Sequence, residues 1–84
     1  MLFNMKSVSG ENTDLIINGE KIHVQTEDWG ENGFVLVSRI FKNGSVIKTF
    51  KFPYEKISQV EIDERRKKAL QQLHQYVIEK LHSD

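Results

Sequence analysis

Residues 14–26 read DLIINGEKIHVQT, two apolar-rich runs separated by an Asn-Gly pair. Asn-Gly is the strongest short signal for a β-hairpin, because the type I′ turn needs a positive φ at both central positions. The turn predicts that Ile17 pairs with Glu20 and that Leu15 pairs with Ile22. Because side chains alternate along a strand, we expect the apolar residues of both runs to share one face of this first hairpin.

A second Asn-Gly pair, at positions 43 and 44, lies between two more strand-like runs in residues 34–52. Uninterrupted pairing outward from this turn places Val37 opposite Phe50 and Val35 opposite Phe52. The other face of the hairpin then carries three aliphatic side chains: Leu36, Ile40 and Ile47. A sheet with one solvated face alternates cleanly between apolar and polar residues. The pattern therefore predicts that both faces of the second hairpin need cover.

A long helix follows the two hairpins. Ser58-Gln59-Val60-Glu61 matches a capping box, which predicts a helix from Gln59 to His82. Its apolar stripe recurs at helical spacing and consists of Leu70, Leu73, Val77 and Leu81. We predict an α+β fold of ββββα order, a four-stranded antiparallel meander with one helix across it. Residues 12–84 form this single domain, and residues 1–11 are expected to be a flexible arm or a short edge strand.

The composition of the 84-residue chain limits its function. Lys plus Arg and Asp plus Glu number 12 each, so the formal net charge is zero, which disfavours indiscriminate binding of polyanions. No cysteine is present, which excludes disulfides and thiol chemistry. The longest apolar run, residues 34–37, is far shorter than the ~20 residues that a membrane span needs. Because the N-terminus has no signal-peptide pattern, we expect a cytoplasmic protein with no membrane partner.

The most unusual local feature is an acidic loop, TEDWGENG in residues 26–33, which holds the only Trp of the chain. An exposed Trp is a typical binding anchor, and the surrounding carboxylates would select a basic partner. Two alternatives stay open: a solvated turn whose Trp folds back on the sheet edge, and a paired-carboxylate hydrolase site. The predicted partner-binding residues combine this loop with the aliphatic face: Glu27, Asp28, Trp29, Glu31, Leu36, Ile40 and Ile47.

A second hypothesis is a nucleic-acid surface on the sheet. Aromatic side chains interleaved with cations form a stacking platform for single strands, and the candidate residues are Arg39, Lys48, Phe50 and Lys51. The ββββα order is also similar to the repeats of PUR-type and Whirly-type single-strand binders. The competing interpretation places the phenylalanines in a core that receives the helix.

Catalytic and metal chemistry find no support in the sequence. We expect no catalytic residues, no cofactor and no metal site, because no nucleophile elbow, phosphate-binding Gly loop or dinucleotide fingerprint occurs. The histidines, His23, His74 and His82, lack the spacing of metal ligands. His74 borders the apolar stripe and is interpreted as a hydrogen-bonded residue at the core edge.

Residues 24–28, Val-Gln-Thr-Glu-Asp, resemble a run found in a group of small bacterial proteins. In that group a strand, a Gly turn, another strand, a Tyr and a C-terminal helix containing Gln-His follow. Here the later features correspond to Asn43-Gly44, Tyr54 and Leu73-His74, with Leu73 separating the Gln from the His. The resemblance implies a stand-alone module of signalling or regulatory type, and it brings no activity with it.

Together these patterns predict a small non-catalytic module for protein–protein interaction or regulation. A lone helix covers one face of a sheet, so a second apolar face requires another chain. A two-fold homodimer would provide that cover. The alternative function is single-stranded nucleic-acid binding by the basic and aromatic residues of the sheet.

Overall fold

The computed structural model describes residues 10–56 and 63–83, with the side chains of the helix described from Arg66 onward. Its secondary-structure elements, in chain order, are β1 (Gly10–Ile17), β2 (Glu20–Asp28), β3 (Val35–Lys42), β4 (Ser45–Pro53), a 3₁₀ turn (Tyr54–Lys56) and α1 (Asp63–Ser83). The strands form one antiparallel sheet in the order β1-β2-β3-β4. The predicted ββββα architecture is confirmed.

The first hairpin has the register that its Asn-Gly turn predicts. Ile17 pairs with Glu20 and Leu15 pairs with Ile22. The turn residues Asn18 and Gly19 have φ values of 53° and 81°, as a type I′ turn requires. Pairing continues to Gly10, so β1 includes two residues of the segment expected to be an arm or a short edge strand. The rest of that segment, residues 1–9, lies outside the described residues.

The second hairpin contains a β-bulge that the sequence pattern did not reveal. Next to the turn, Phe41 opposes Val46 as expected, but Ile40 opposes Lys48, which leaves Ile47 as the extra residue. Every pair beyond this point is shifted by one residue. The predicted pairing of Val37 with Phe50 is therefore wrong, and Val37 opposes Lys51.

The same shift corrects the second predicted pair and the assignment of faces. Val35 opposes Pro53, whereas Phe52 opposes Leu36. A one-residue slip moves every later side chain to the other face. Both phenylalanines of β4 consequently lie on the same face as Leu36 and Ile40. The bulge thus adds both phenylalanines to the face that carries Leu36 and Ile40, while Val35, Val37 and Phe41 lie on the other face.

Helix α1 packs on that face, mainly over β2 and also over β1 and β3. On the sheet-facing side of the helix, Leu70 and Val77 are buried, and His74 lies between them in sequence with 5 % of its surface exposed. The core cluster contains Ile22, Val24, Ile40 and Val77, flanked by Leu15, Ile17, Phe50, Leu73, Ile78 and Leu81. This confirms the predicted stripe. The capping box at residues 58–61 lies outside the described residues, and no described helix is long and apolar enough to span a membrane.

Leu36 and Ile40 are covered by their own chain. Their exposed fractions are 0 % and 3 %, so the expectation that these two residues need an outside partner is wrong. Its cause is the missed bulge, since uninterrupted pairing would have split the apolar residues between the faces. Ile47, at the bulge, is 53 % exposed.

Candidate functional site

The helix is placed off-centre on the sheet and leaves part of β4 uncovered. Between α1 and β4 lies an apolar groove of about 400 Å³, which we call the β4 groove. It is lined by Phe50, Lys51, Phe52, Ala69, Gln72, Leu73 and Tyr76. Phe50 and Phe52 are only half-buried, although the bulge turns them toward the helix.

Aromatic rings and cations shape the walls of the β4 groove. The rings of Phe50 and Tyr76 meet edge to face, with their centroids 6.3 Å apart. Tyr76 is nevertheless 52 % exposed, and the ammonium of Lys48 lies 5.3 Å from the Phe50 ring centroid. No carboxylate lines the groove in the described part of the chain. The surface therefore combines apolar area with a positive rim.

Among the strands that the structure describes, β4 is also an open edge of the sheet. Its residues from Ser45 to Thr49 are all exposed. Half of the backbone groups of an edge strand point away from the sheet and can pair with another chain. Lysines and a bulge are usual devices that limit such pairing, and β4 has both. The accessible region is therefore the regular stretch beyond the bulge, beside the β4 groove.

Trp29 lies folded on the face of the sheet opposite the helix, which we call the open face. Its indole Nε1 donates a hydrogen bond to Glu27 Oε1 at 3.3 Å. The Arg39 guanidinium and the Lys51 ammonium lie 5.6 Å and 5.8 Å from the indole ring. These side chains surround Val37, which is 1 % exposed. The ring therefore contacts the side chains that flank Val37, on the face of the sheet that the helix does not cover.

Asp28 is buried where the sheet, the loop and the helix meet. Its Oδ1 accepts hydrogen bonds from the Gly30 N–H at 2.9 Å and from the Tyr54 hydroxyl. Its Oδ2 accepts one from Arg66 Nε at 3.1 Å. Burial, followed by the hydrogen bond to Asp28 and the charge of that carboxylate, raises the pKa of Tyr54 to about 12. Asp28 thus ties three segments together.

The three carboxylates of the acidic loop do not form one cluster. Glu27 lies on the open face, where it pairs with Arg39 at 3.6 Å. Asp28 follows it in β2 and points to the helix face, since neighbouring strand residues alternate. Glu31 is exposed in the loop. Glu27 and Asp28 therefore share no pocket, as a paired-carboxylate site would require.

The nucleic-acid candidate residues are likewise divided. Arg39 and Lys51 lie on the open face, on either side of Trp29. Lys48 and Phe50 face the helix side at the β4 groove. The structure brings Trp29 to the first pair, and the sequence pattern had assigned that residue to a separate protein-binding loop.

A buried polar network crosses the interface between helix and sheet. His74 Nε2 lies 2.8 Å from the Thr13 hydroxyl, and His74 Nδ1 lies 2.7 Å from the Thr26 hydroxyl. Thr26 is in turn 2.8 Å from Ser38 Oγ. Burial lowers the pKa of His74, with the Glu11 charge opposing that effect. His74 is thus a hydrogen-bonded residue within the interface, as its place beside the apolar stripe indicates.

The other histidines are surface residues. His23 Nδ1 lies 2.8 Å from Asp14 Oδ1, and its Nε2 lies 3.2 Å from Asn12 Oδ1. His82 Nδ1 lies 3.1 Å from the Ile78 carbonyl oxygen. Among the side chains described, those of residues 10–56 and 66–83, no group of three potential metal ligands occurs.

The sequence pattern singled out Phe50, Lys51 and Leu73 but did not indicate that they line one groove. Phe52 was assigned to the wrong face, and Ala69 and Tyr76 were not singled out. Tyr76 offered a signal, because it lies three residues from Leu73 on one side of the apolar stripe. A Tyr at that position widens the stripe toward one sheet edge. Which edge it meets depends on the helix placement, which the sequence does not show.

Searches against protein-family models, curated proteins and solved structures found no match. The resemblance of residues 24–28 to small bacterial proteins therefore stays a prediction.

Proposed function

We propose that this protein is a non-catalytic interaction module that binds a protein segment along β4 and in the β4 groove. The observation that carries the proposal is the groove itself, a half-open apolar space beside an unpaired edge strand. Phe50, Phe52 and Tyr76 are partly exposed side by side. A contiguous apolar patch of this kind on a small protein indicates an interaction site. An adaptor or regulatory role in the cytoplasm is the expected setting.

The geometry suggests how the segment binds. An extended chain can add to a sheet edge by main-chain hydrogen bonds, while every second side chain enters a pocket. The β4 groove lies on the helix side of β4, so alternate side chains of the incoming strand would enter it. Apolar side chains fit these walls, and acidic side chains fit the two cations of β4, Lys48 at the groove and Lys51 on the open face.

A displayed library of extended peptides tests the proposal against the purified protein. We expect the selected peptides to have apolar residues at alternate positions, with carboxylates between or beside them. Tyr76→Glu should reduce their binding at least about tenfold, since it places a charge on the groove wall. Tyr76 is 52 % exposed, so the fold should tolerate the change.

Gln71→Glu is the matched control, because Gln71 is exposed on the same helix and does not line the β4 groove. Its binding should equal that of the unmodified chain. If no peptide is enriched, or if Tyr76→Glu and Gln71→Glu bind the selected peptides equally well, the β4 groove is not the binding site.

The open face supports a second candidate, the binding of single-stranded nucleic acid. Trp29, Arg39 and Lys51 combine an aromatic ring with two cations there, as stacking surfaces do. Glu27, beside the same ring, weighs against it. Because Trp29 is the only Trp, oligonucleotide binding should quench its fluorescence, less so at high salt. Lys51→Glu should abolish the quenching and Lys68→Glu should not; unchanged fluorescence at low salt would rule out this surface.

A further inference from the structure

The two edges of the sheet carry opposite charges. Strand β1, GENTDLII, contains Glu11 and Asp14 and no basic residue. Strand β4, SVIKTFKFP, contains Lys48 and Lys51 and no acidic residue. Because the four strands alternate in direction, β1 of one copy can continue the sheet beside β4 of another as an antiparallel neighbour. The edges are thus complementary in charge and in direction.

We propose that the occupant of β4 is β1 of a second copy, so that the chains associate head to tail into one continuous sheet. This inference rests on the proposed function, since it names the partner of the same groove. It replaces the two-fold homodimer expected from the sequence with an interface between two different edges. Such contacts build rings when the rotation closes and open filaments when it does not.

One register of β1 against β4 pairs compatible side chains on both faces of the sheet. With Leu15 placed opposite Phe50, an apolar side chain of β1 meets the groove aromatic on the helix side. The next pair then places the Asp14 carboxylate opposite the Lys51 ammonium on the open face. Asp14 is 68 % exposed at its side chain and Lys51 is exposed, so both groups are accessible. Directly opposed side chains on neighbouring strands lie close enough for an ion pair.

The off-centre helix favours this joint over a two-fold pairing of β4 with β4. Helix α1 lies mainly over β2. In the head-to-tail sheet the next helix follows four strands later, about 19 Å away at the usual strand spacing. In the two-fold arrangement it follows five strands later, about 24 Å away. The gap between neighbouring helices is therefore narrower in the head-to-tail sheet. The partly exposed Phe50, Phe52 and Tyr76 lie in this gap, so the narrower gap covers them better.

The charges of β4 also favour the head-to-tail joint over the two-fold joint. A two-fold β4 joint would bring Lys48 and Lys51 of both copies into one interface, with no carboxylate from either strand. Like charges across a strand pair are destabilising. The head-to-tail joint instead places Lys51 of one copy opposite Asp14 of the next.

Charge reversal with complementation tests the joint, with sedimentation velocity at low salt as the measurement. Asp14→Lys and Lys51→Asp should each weaken self-association at least about tenfold, because each places like charges opposite one another. A 1:1 mixture of the two variants should associate again, within about threefold of the unmodified chain, since every joint between unlike copies then pairs an acid with a base. In a two-fold β4 joint, Asp14→Lys alone should not weaken self-association, because β1 takes no part in that joint.

Lys68→Asp and Glu79→Lys are the controls, since both residues are exposed on the helix. They should associate like the unmodified chain. Three outcomes would overturn the inference: a monomeric unmodified chain at high micromolar concentration, an Asp14→Lys variant that still associates, or two variants that stay apart when mixed.

The failure of this inference and the failure of the proposed function give different results. If the chain is monomeric but selected peptides bind in the β4 groove, the interaction module stands and its partner is another protein. If it neither self-associates nor binds any peptide, both proposals fall.

Discussion

Individual side chains in this small protein hold separate segments together. Asp28 is the clearest case, because its carboxylate accepts hydrogen bonds from the loop, from the 3₁₀ turn and from the helix. The sequence pattern marked Asp28 as a binding residue, since an acid next to the only Trp resembles a recognition loop. Burial decides its role, and burial depends on Tyr54 and Arg66, which are 26 and 38 residues away.

Replacing Asp28 with Asn should therefore destabilise the fold. The amide keeps one acceptor oxygen but loses the charge that Arg66 faces, so we expect a loss of about 1–3 kcal/mol in the free energy of unfolding. Urea denaturation measures this loss. Glu31→Gln makes the same chemical change at an exposed position of the same loop and should stay within about 0.5 kcal/mol. Equal effects of the two substitutions would show that Asp28 is not a structural link.

His74 should make stability depend on pH. In an unfolded chain its pKa is near 6.5, and burial lowers that pKa in the folded protein. As pH falls through 6.5, the unfolded chain takes up the proton first, so the contribution of neutral His74 is complete above 6.5 and declines below it. Urea denaturation between pH 8 and pH 5 should show this decline.

The variant His74→Gln separates this effect from the titration of other groups. It should be less stable at pH 8, because the Gln side chain cannot reproduce both hydrogen bonds that His74 makes with Thr13 and Thr26. Its stability should also fall less between pH 8 and pH 5 than that of the unmodified chain. An equal fall in both proteins would assign the pH dependence to other residues.

Among the secondary-structure elements, local patterns predicted the strands, the turns and the buried stripe of the helix. Each depends on neighbours in sequence: the Asn-Gly pairs set the turns, and the spacing of Leu70, Leu73 and Val77 sets the helix face. The bulge at Ile47 could not be predicted from the turn alone. The signal for the bulge was that uninterrupted pairing placed apolar residues on both faces of the hairpin. An extra residue in β4 explains that pattern as well as a partner chain does.

The bulge also yields a prediction about register. Deleting Ile47 removes the extra residue, keeps Phe50 and Phe52 on the helix face, and should change the free energy of unfolding by less than about 1 kcal/mol. Deleting Lys51 instead moves Phe52 to the opposite face and should cost about 2–4 kcal/mol. Lys51 also contacts the Trp29 ring, so Lys51→Ala measures that lost contact, and the remaining difference between the two deletion variants reports register. Equal stabilities of the two deletion variants would contradict the assigned register.

For the molecule as a whole, the off-centre helix divides the sheet into a well-covered and a weakly covered part. Strands β1 to β3 lie beneath α1, while β4 contributes only half-buried phenylalanines to the helix side. The sequence predicts that one helix covers one face. Its lateral position depends on which side chains interlock at the interface, including the His74 network, and those distant contacts are not visible in local patterns.

Uneven cover should produce uneven local stability, which hydrogen exchange can measure. Opening β4 exposes mainly Phe50 and Phe52, whereas opening β2 disrupts Ile22 and Val24 in the core, so β4 should open at a smaller free-energy cost. In dilute solution, where self-association is absent, we expect β4 amides bonded to β3 to exchange at least about tenfold faster than amides shared by β2 and β3. Equal protection in a monomer would mean that the helix covers β4 as fully as β2, and the β4 groove would then lack its open wall.

At high concentration, head-to-tail association should slow exchange in both β1 and β4, whereas a two-fold β4 joint should slow it in β4 alone.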